Sequence, residues 1–257
     1  MAADDGDLFI DDCGSGPPVV LLHGTPSDPR DFQPLVEALA GHHRVLVPHL
    51  PGYGKTPYRG VQSIASIMVR IEDAVLRSGI SEARVVGFSG GAYKALAMAL
   101  GKRVHVPRLA LLAPVIGLDA NVAQAYRDMI TAVRAKTFDP RPTWLDRMAS
   151  PGFATRDPAG ATRILAWLDG VSSSVLNEEI IALADAPDLR PRLSELDCRL
   201  LVCAGTADNA VPIAWSKAVA DSVRGASFTP IQGAGHALLV ETPLVVTRLL
   251  VTFLKEE

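Results

Sequence analysis

A serine between closely spaced glycines is the first residue of this sequence that could do chemistry. Ser89 is the centre of Gly-Phe-Ser-Gly-Gly, residues 87–91. Residues 84–86 predict the end of a buried strand and residues 92–100 predict a helix, so the chain turns from one to the other with no loop. A turn this abrupt strains its central residue and requires small neighbours, which the glycines supply. Such strain is tolerated mainly at functional sites, so Ser89 is a candidate nucleophile.

A histidine and an aspartate complete a possible set for nucleophilic catalysis. A serine hydroxyl is a poor nucleophile near neutral pH and needs a base, which in turn needs a carboxylate to orient it. His236 lies in a glycine-rich loop, residues 233–237, directly after the last predicted strand, and Asp208 follows the predicted strand 200–203. Because loops after parallel strands meet at one edge of a sheet, we expect Ser89, Asp208 and His236 to share one crevice.

The sequence offers other candidates for a catalytic acid, a phosphate-binding loop or a metal site, but their context supports these roles less well. Asp119, after the predicted strand 109–113, is the competing acid, but Asp208 has the better loop context. Residues 54–56 (Gly-Lys-Thr) resemble the end of a phosphate-binding loop, but His49 stands where that loop requires a glycine, so we reject it. The six histidines are scattered with no ligand spacing, so the sequence predicts no metal site and implies no cofactor.

Length and charge argue against several classes of protein. With 257 residues, 48% of them hydrophobic, the chain can bury one large core but is too short for two full α/β domains. A net charge of −3 with no cluster of lysine and arginine argues against nucleic-acid binding. No apolar run reaches the roughly 18 residues of a membrane-spanning helix, and the acidic start lacks a signal-peptide pattern. Three cysteines at irregular spacing favour a reducing, cytoplasmic location.

The hydrophobic pattern predicts an α/β fold. Short apolar runs typical of buried strands occur at residues 18–22, 44–47, 84–86, 109–113, 200–203 and 227–231. Patterns typical of amphipathic helices alternate with them, at residues 32–40, 63–78, 92–100, 213–223 and 243–254. This order predicts a mostly parallel central sheet with helices on both faces.

Between residues 117 and 187 the strand signal disappears and helical stripes replace it. A helical subdomain inserted into a sheet domain accounts for this change. The insertion also carries five aromatic residues, each of which is by itself more typical of packing than of substrate contact. Together they suggest an apolar pocket: Tyr126, Phe138, Trp144, Phe153 and Trp167.

Five motifs in order make the chain resemble the α/β-hydrolase family over almost its whole length. They are residues 23–26 (HGTP), 50–56 (LPGYGKT), 87–91 (GFSGG) and the loops of Asp208 and His236. The resemblance implies a serine esterase or lipase-like enzyme, with residues 1–116 and 188–257 as the hydrolase core and residues 117–187 as a helical cap over the site.

The resemblance also implies an oxyanion hole, and the chain departs from the family pattern at three places. The backbone amides of Thr25 and Gly90 would form the hole, since Pro26 has no N–H. Gly90 stands where the family often has a bulkier residue, which removes a side chain from the pocket wall. The family often has an aspartate where this chain has His49, and that position is commonly structural. The segment before Leu8 is also short, so we expect the family's usual first edge strand to be missing.

These residues predict a serine hydrolase that cleaves a carboxylic ester or lactone with an apolar part. Ser89 would attack the carbonyl carbon while His236 takes its proton, and water would then release the acid from an acyl-enzyme. Thioesters and amides stay open as substrates. So do two alternatives: a cofactor-free lyase or oxygenase on the same fold, and a non-catalytic receptor for a small molecule. The predicted partner is a small molecule, and the sequence leaves the oligomeric state open.

Overall fold

Seven strands form one sheet in the computed structural model, which describes residues 8–255. They are β1 (Ile10–Gly14), β2 (Pro18–Leu22), β3 (Arg44–Pro48), β4 (Arg84–Phe88), β5 (Arg108–Leu112), β6 (Arg199–Gly205) and β7 (Ser227–Ile231). Their order across the sheet is β1-β3-β2-β4-β5-β6-β7. Only the β1–β3 pair is antiparallel within the described residues, and the other five pairs are parallel. The predicted α/β fold with a mostly parallel sheet is therefore confirmed.

Eleven α-helices accompany these strands within residues 8–255. They are α1 (Gln33–Leu39), α2 (Ile64–Arg77), α3 (Gly90–Gly101), α4 (Ala120–Arg134), α5 (Arg141–Met148), α6 (Phe153–Arg156), α7 (Pro158–Ala166), α8 (Ser173–Ala184), α9 (Ile213–Asp221), α10 (Leu238–Glu241) and α11 (Pro243–Lys255). Two short 3₁₀ helices, Pro29–Phe32 and Arg190–Glu195, lie between them. In this part of the chain no helix has the length and apolar character needed to cross a membrane.

The central strands are buried on both faces, which explains their nearly continuous apolar sequences. In β2, Val19 and Leu21 pack with α1 and α11, while Val20 and Leu22 pack with α2 and α3. Each of these four side chains is fully buried. Burial of one such side chain contributes about 1.5–3 kcal/mol, so the two apolar layers fix the sheet and hence the positions of its strand ends.

The edge strand β1 is not among the strands that the sequence predicts. Its sequence, Ile-Asp-Asp-Cys-Gly, is half polar because the strand lies at the rim of the sheet. Asp12 pairs with Arg44 at 2.6 Å, and His49 Nε2 donates a 2.7 Å hydrogen bond to Asp11, so polar contacts replace apolar packing here. The expectation that the family's first edge strand is missing concerns residues 1–7, which lie outside the described residues.

Helices α4 to α8 lie between β5 and β6, and no strand interrupts them there. Parts of this stretch also pack into the core: Ile164 and Trp167 join the layer under α11, and Val171 and Val175 join the layer under α2. The assignment of residues 117–187 as a separate cap stays a prediction.

Candidate active site

Ser89 occupies the corner between β4 and α3. Its backbone angles, φ 52° and ψ −117°, fall where residues other than glycine are rarely found. The Ser89 amide donates a 2.9 Å hydrogen bond to the carbonyl of Leu112, which holds the corner against β5. The turn therefore has the strained conformation that its sequence predicts. Ser89 itself is 7% exposed.

The glycines on either side of Ser89 are required by close contacts. A Cβ atom at Gly91 would lie 2.1 Å from the carbonyl oxygen of Leu22 and 2.4 Å from that of His23. A Cβ atom at Gly87 would lie 2.7 Å from the Cβ of Ala95. Neither position has room for a side chain, so helix α3 can start directly against the strands only with glycine at both.

Ser89, His236 and Asp208 form one hydrogen-bonded line. His236 Nε2 lies 2.9 Å from Ser89 Oγ, and His236 Nδ1 lies 2.9 Å from Asp208 Oδ2. The other carboxylate oxygen, Oδ1, accepts bonds of 2.8 Å from the amides of Ala210 and Val211. With Nδ1–H directed at the carboxylate, Nε2 is free to accept the serine proton. The structure thus brings together the three side chains that the sequence singles out.

The loops that carry Asp208 and His236 brace each other. The Ala207 amide donates to the carbonyl of Ala234 at 2.9 Å, and the Gly233 amide donates to Thr206 Oγ1 at 2.9 Å. Glu241 adds a further brace, because its carboxylate accepts the amide of Gly235 at 3.0 Å. These contacts fix the imidazole relative to the carboxylate.

Glu241 also ties the His236 loop to the helical stretch, which sequence reasoning missed. Its second oxygen accepts the amide and the hydroxyl of Ser150, at 3.0 and 2.5 Å. The two residues are 91 positions apart, so no local pattern signals their contact.

Thr25 and Gly90, the predicted oxyanion-hole residues, lie side by side next to Ser89. Gly90 is the first residue of α3, so its amide has no hydrogen-bond partner within the helix. A Cβ atom at Gly90 would lie 2.8 Å from Thr25 Oγ1 and 3.0 Å from Leu183, so these side chains take the space that the glycine leaves. Both Thr25 and Gly90 line the same cavity as Ser89 and His236. Their assignment as an oxyanion hole stays a prediction.

The competing acid Asp119 and two histidines near the strand ends, His49 and His23, lie outside this line of side chains. Asp119 is exposed and pairs with Arg190 at 2.7 Å, so it does not compete with Asp208. His49 accepts the amide of Lys55 at 3.0 Å and pairs with the edge strand β1. His23 is fully buried: its Nδ1 donates to the carbonyl of Gly24 at 3.0 Å, and its Nε2 accepts the amide of Leu50 at 3.2 Å.

The bonds of His23 predict a pH effect on stability. Burial lowers the pKa of His23 from 6.5 to about 4, and Nε2 must stay unprotonated to accept the Leu50 amide. Between these two pH values the unfolded chain binds more protons at this residue. The free energy of unfolding therefore decreases as the pH is lowered from 6.5 to 4, by about 3 kcal/mol in total. Burial raises the pKa of Asp31 to about 6, so the contribution of Asp31 to the unfolding free energy increases as the pH is lowered through the same range.

We therefore expect the difference in unfolding free energy between wild type and His23→Gln to shrink by about 3 kcal/mol from pH 7 to pH 4. Asp31 is present in both proteins, so its contribution cancels in this difference. Urea unfolding followed by circular dichroism at several pH values measures it. Parallel stability curves for the two proteins would contradict the prediction.

A cavity of about 490 Å³ opens beside Ser89 and His236. Its apolar lining comes mostly from the helical stretch and includes Leu118, Met129, Ile130, Val133, Leu176, Ile180 and Leu183. Of the five aromatic residues suggested for a pocket, Tyr126, Phe138 and Trp144 line it. Phe153 and Trp167 lie outside its lining and pack in the core layer under α11.

A buried charge network lies behind the site, and the sequence gives no hint of it. Lys94 on α3 and Glu179 on α8 form a 2.8 Å ion pair, with side chains 0% and 6% exposed. Tyr53 donates a 2.5 Å hydrogen bond to the same carboxylate, and Lys94 donates to the carbonyl of Gly90 at 3.3 Å. Burial acts to raise the pKa of Glu179, but Lys94 and Tyr53 outweigh it and hold that pKa below its ordinary value. The network joins α8 to the start of α3.

The chain is similar in sequence and in structure to known proteins. The profile of the Alpha/beta hydrolase family matches residues 19–249. The chain is 31% identical over 209 residues to a pimeloyl-(acyl-carrier protein) methyl ester esterase of Vibrio campbellii, covering 78% of this chain and 80% of that protein. It is 28% identical over 271 residues to a pyrrolizixenacetamide deacetylase of Xenorhabdus hominickii, covering 98% and 97% of the two chains.

One solved structure extends this comparison to the fold. A thermophilic esterase from Thermogutta terrifontis superposes with a TM-score of 0.89 at 25% identity, and the match covers 96% of this chain and 93% of that one.

Proposed function

The chain belongs to the alpha/beta hydrolase family, and we propose that it is a serine hydrolase that cleaves a carboxylic ester or lactone with an apolar part. The resemblance predicted from the motifs is confirmed by the family match. The observation that carries the proposal is the line of 2.9 Å contacts from Ser89 Oγ through His236 to Asp208, at the edge of an apolar cavity. The esterase and deacetylase relatives support hydrolysis of an acyl group.

The proposed reaction begins with attack of Ser89 Oγ on the substrate carbonyl carbon. The hydroxyl proton passes to His236 Nε2, and Asp208 stabilises the imidazolium that results. The negative charge that develops on the carbonyl oxygen is stabilised by the amides of Thr25 and Gly90 and by the N-terminus of α3. Collapse of this intermediate breaks the ester bond, and His236 gives its proton to the leaving alcohol.

Water completes the cycle. His236 Nε2 takes a proton from a water molecule, whose oxygen attacks the acyl carbon bound to Ser89. When the second tetrahedral intermediate collapses, His236 gives this proton to Ser89 Oγ and the carboxylic acid is released. This chain's own residues therefore supply the nucleophile, the base and the stabilising donors of both steps.

A fluorophosphonate probe and a substrate panel test the proposal. We expect the probe to add one phosphonyl group to Ser89, located by peptide mass spectrometry. The panel contains p-nitrophenyl esters of increasing acyl length, with lactones and thioesters of matched size. We expect kcat/KM to rise with acyl length until the apolar cavity is filled. Absence of both labelling and hydrolysis would favour the receptor alternative and overturn the proposal.

The pH dependence of hydrolysis gives a separate prediction. Only a neutral imidazole can accept the serine proton, so we expect kcat/KM to be lower in acid than at neutral pH. Initial rates with an aryl ester measure the profile, and circular dichroism at each pH controls for unfolding. A flat profile while chemistry limits the rate would contradict His236 as the base.

A further inference from the structure

The wall of the apolar cavity contains an arginine that forms no ion pair with any described residue. Arg147 is half-buried on α5 and lines the cavity together with Ser89 and His236. Its Nη2 donates a 3.0 Å hydrogen bond to the hydroxyl of Tyr126, and its guanidinium carbon lies 5.6 Å from the centre of that ring. A neutral phenol and an aromatic face leave the positive charge of Arg147 without a counter-charge.

The rest of the cavity lining does not supply that counter-charge. Arg141 also lines the cavity, but Asp169 neutralises it at 2.5 Å. Asp139 is the one acidic residue of the lining, and its Oδ1 accepts the amide of Arg141 at 3.0 Å. Lys136 adds a further exposed cation. The lining therefore carries more positive than negative charge, although most of its surface is apolar.

Helix α5 holds Arg147 at a fixed place relative to the reacting groups. The carbonyl of Met148 accepts the amide of Ala237, beside His236, at 2.8 Å. The carbonyl of Asp146 accepts the side-chain amide of Asn209, beside Asp208, at 3.1 Å. Arg147 lies between these two anchored positions, so its backbone is held by the same loops that carry the proposed base and its carboxylate. The hydrogen bond to Tyr126 then holds the guanidinium.

From these contacts we propose that Arg147, supported by Tyr126, binds a carboxylate on the substrate. The substrate is then an ester with an apolar chain that ends in a second, free carboxylate group. The apolar lining contacts the chain, and the planar guanidinium meets the carboxylate with paired hydrogen bonds. This inference rests on the proposed function and adds the chemical class of the substrate.

Paired substrates test the inference. One pair compares monomethyl esters of dicarboxylic acids with methyl alkanoates of equal length. The second pair compares esters whose alcohol part ends in a carboxylate with esters of the uncharged alcohol of equal length. We expect wild type to favour the charged member of at least one pair in kcat/KM by roughly tenfold to a hundredfold, as a hydrogen-bonded charge pair provides. In Arg147→Met we expect this ratio to fall to about one.

Arg127→Gln is the matched control, because Arg127 lies outside the cavity lining and pairs with Asp185 at 2.6 Å. It removes the same charge and should keep the preference for the charged ester. Calorimetric titration with a dicarboxylic acid and a monocarboxylic acid of equal length gives a readout that needs no turnover. Dicarboxylate binding that is lost in Arg147→Met supports the inference even if no ester is cleaved.

Ester hydrolysis with no preference for either charged substrate would overturn the inference and leave the proposed function intact. An equal loss for charged and neutral esters in Arg147→Met would also overturn it, since a purely structural role gives that result.

Discussion

Replacement of Ser89 by alanine should lower kcat for ester hydrolysis by roughly 10⁴- to 10⁶-fold, because the acyl-enzyme can no longer form. The side chain lies 2.9 Å from His236 Nε2 and occupies a strained corner that alanine can adopt no better and no worse, so the fold should persist. Steady-state rates with an aryl ester and the loss of fluorophosphonate labelling measure the effect. Substantial residual turnover would instead favour a lyase or oxygenase in which Ser89 does not react.

The proposed role of Asp208, which orients His236, can be tested in the same assay with a matched control. Asp208→Asn should lower kcat by roughly 10⁴-fold, because an amide favours the wrong imidazole tautomer. Asp119→Asn changes the competing acid, which is exposed and bonded to Arg190, and should leave the rate within about twofold of wild type. Equal losses in both variants would contradict the assignment of Asp208.

The three proposed catalytic residues were predictable because each lies in the segment that follows a strand. A strand end is a local signal, and parallel strands bring their ends to one edge whatever the length of chain between them. Ser89 and His236 are 147 positions apart, yet each is marked by its own glycines. Motif and topology together were therefore sufficient for this part of the site.

Contacts between side chains on different helices were not predictable in this way. Lys94 and Glu179 are 85 positions apart, and each looks like an exposed residue in its own helix. For the aromatic residues of the helical stretch, the sequence likewise does not distinguish a position in the cavity wall from a position in the core. Trp144 lines the cavity while Trp167 is buried in the core, and only the packing of α5 and α7 decides between these positions.

The edge strand β1 was not predicted because its sequence is not apolar. Hydrophobic periodicity detects burial, and Asp11 and Asp12 are exposed. The strand is held by its backbone ladder with β3, by an ion pair to Arg44 and by a hydrogen bond from His49, none of which produces an apolar pattern.

The buried pair of Lys94 and Glu179 predicts the largest loss of stability. Lys94→Met leaves the Glu179 carboxylate buried without its cation, and breaking such a pair typically costs about 3–5 kcal/mol of unfolding free energy. For a chain of this size that corresponds to a fall in Tm of about 6–20 °C. Because Lys94 also donates to the carbonyl of Gly90, we expect kcat to fall as well, through displacement of the Gly90 amide.

A double variant and a surface control separate charge burial from loss of packing. Lys94→Met combined with Glu179→Gln removes both charges and keeps an acceptor for the Tyr53 hydroxyl, so it should recover much of the lost stability. Lys217→Met breaks an exposed pair with Asp221 and should cost less than about 1 kcal/mol. Chemical denaturation of wild type and of these three variants measures the differences in unfolding free energy. If Lys94→Met costs no more than Lys217→Met, Glu179 must lose its charge readily in the fold, and the network would not hold α8 against the start of α3.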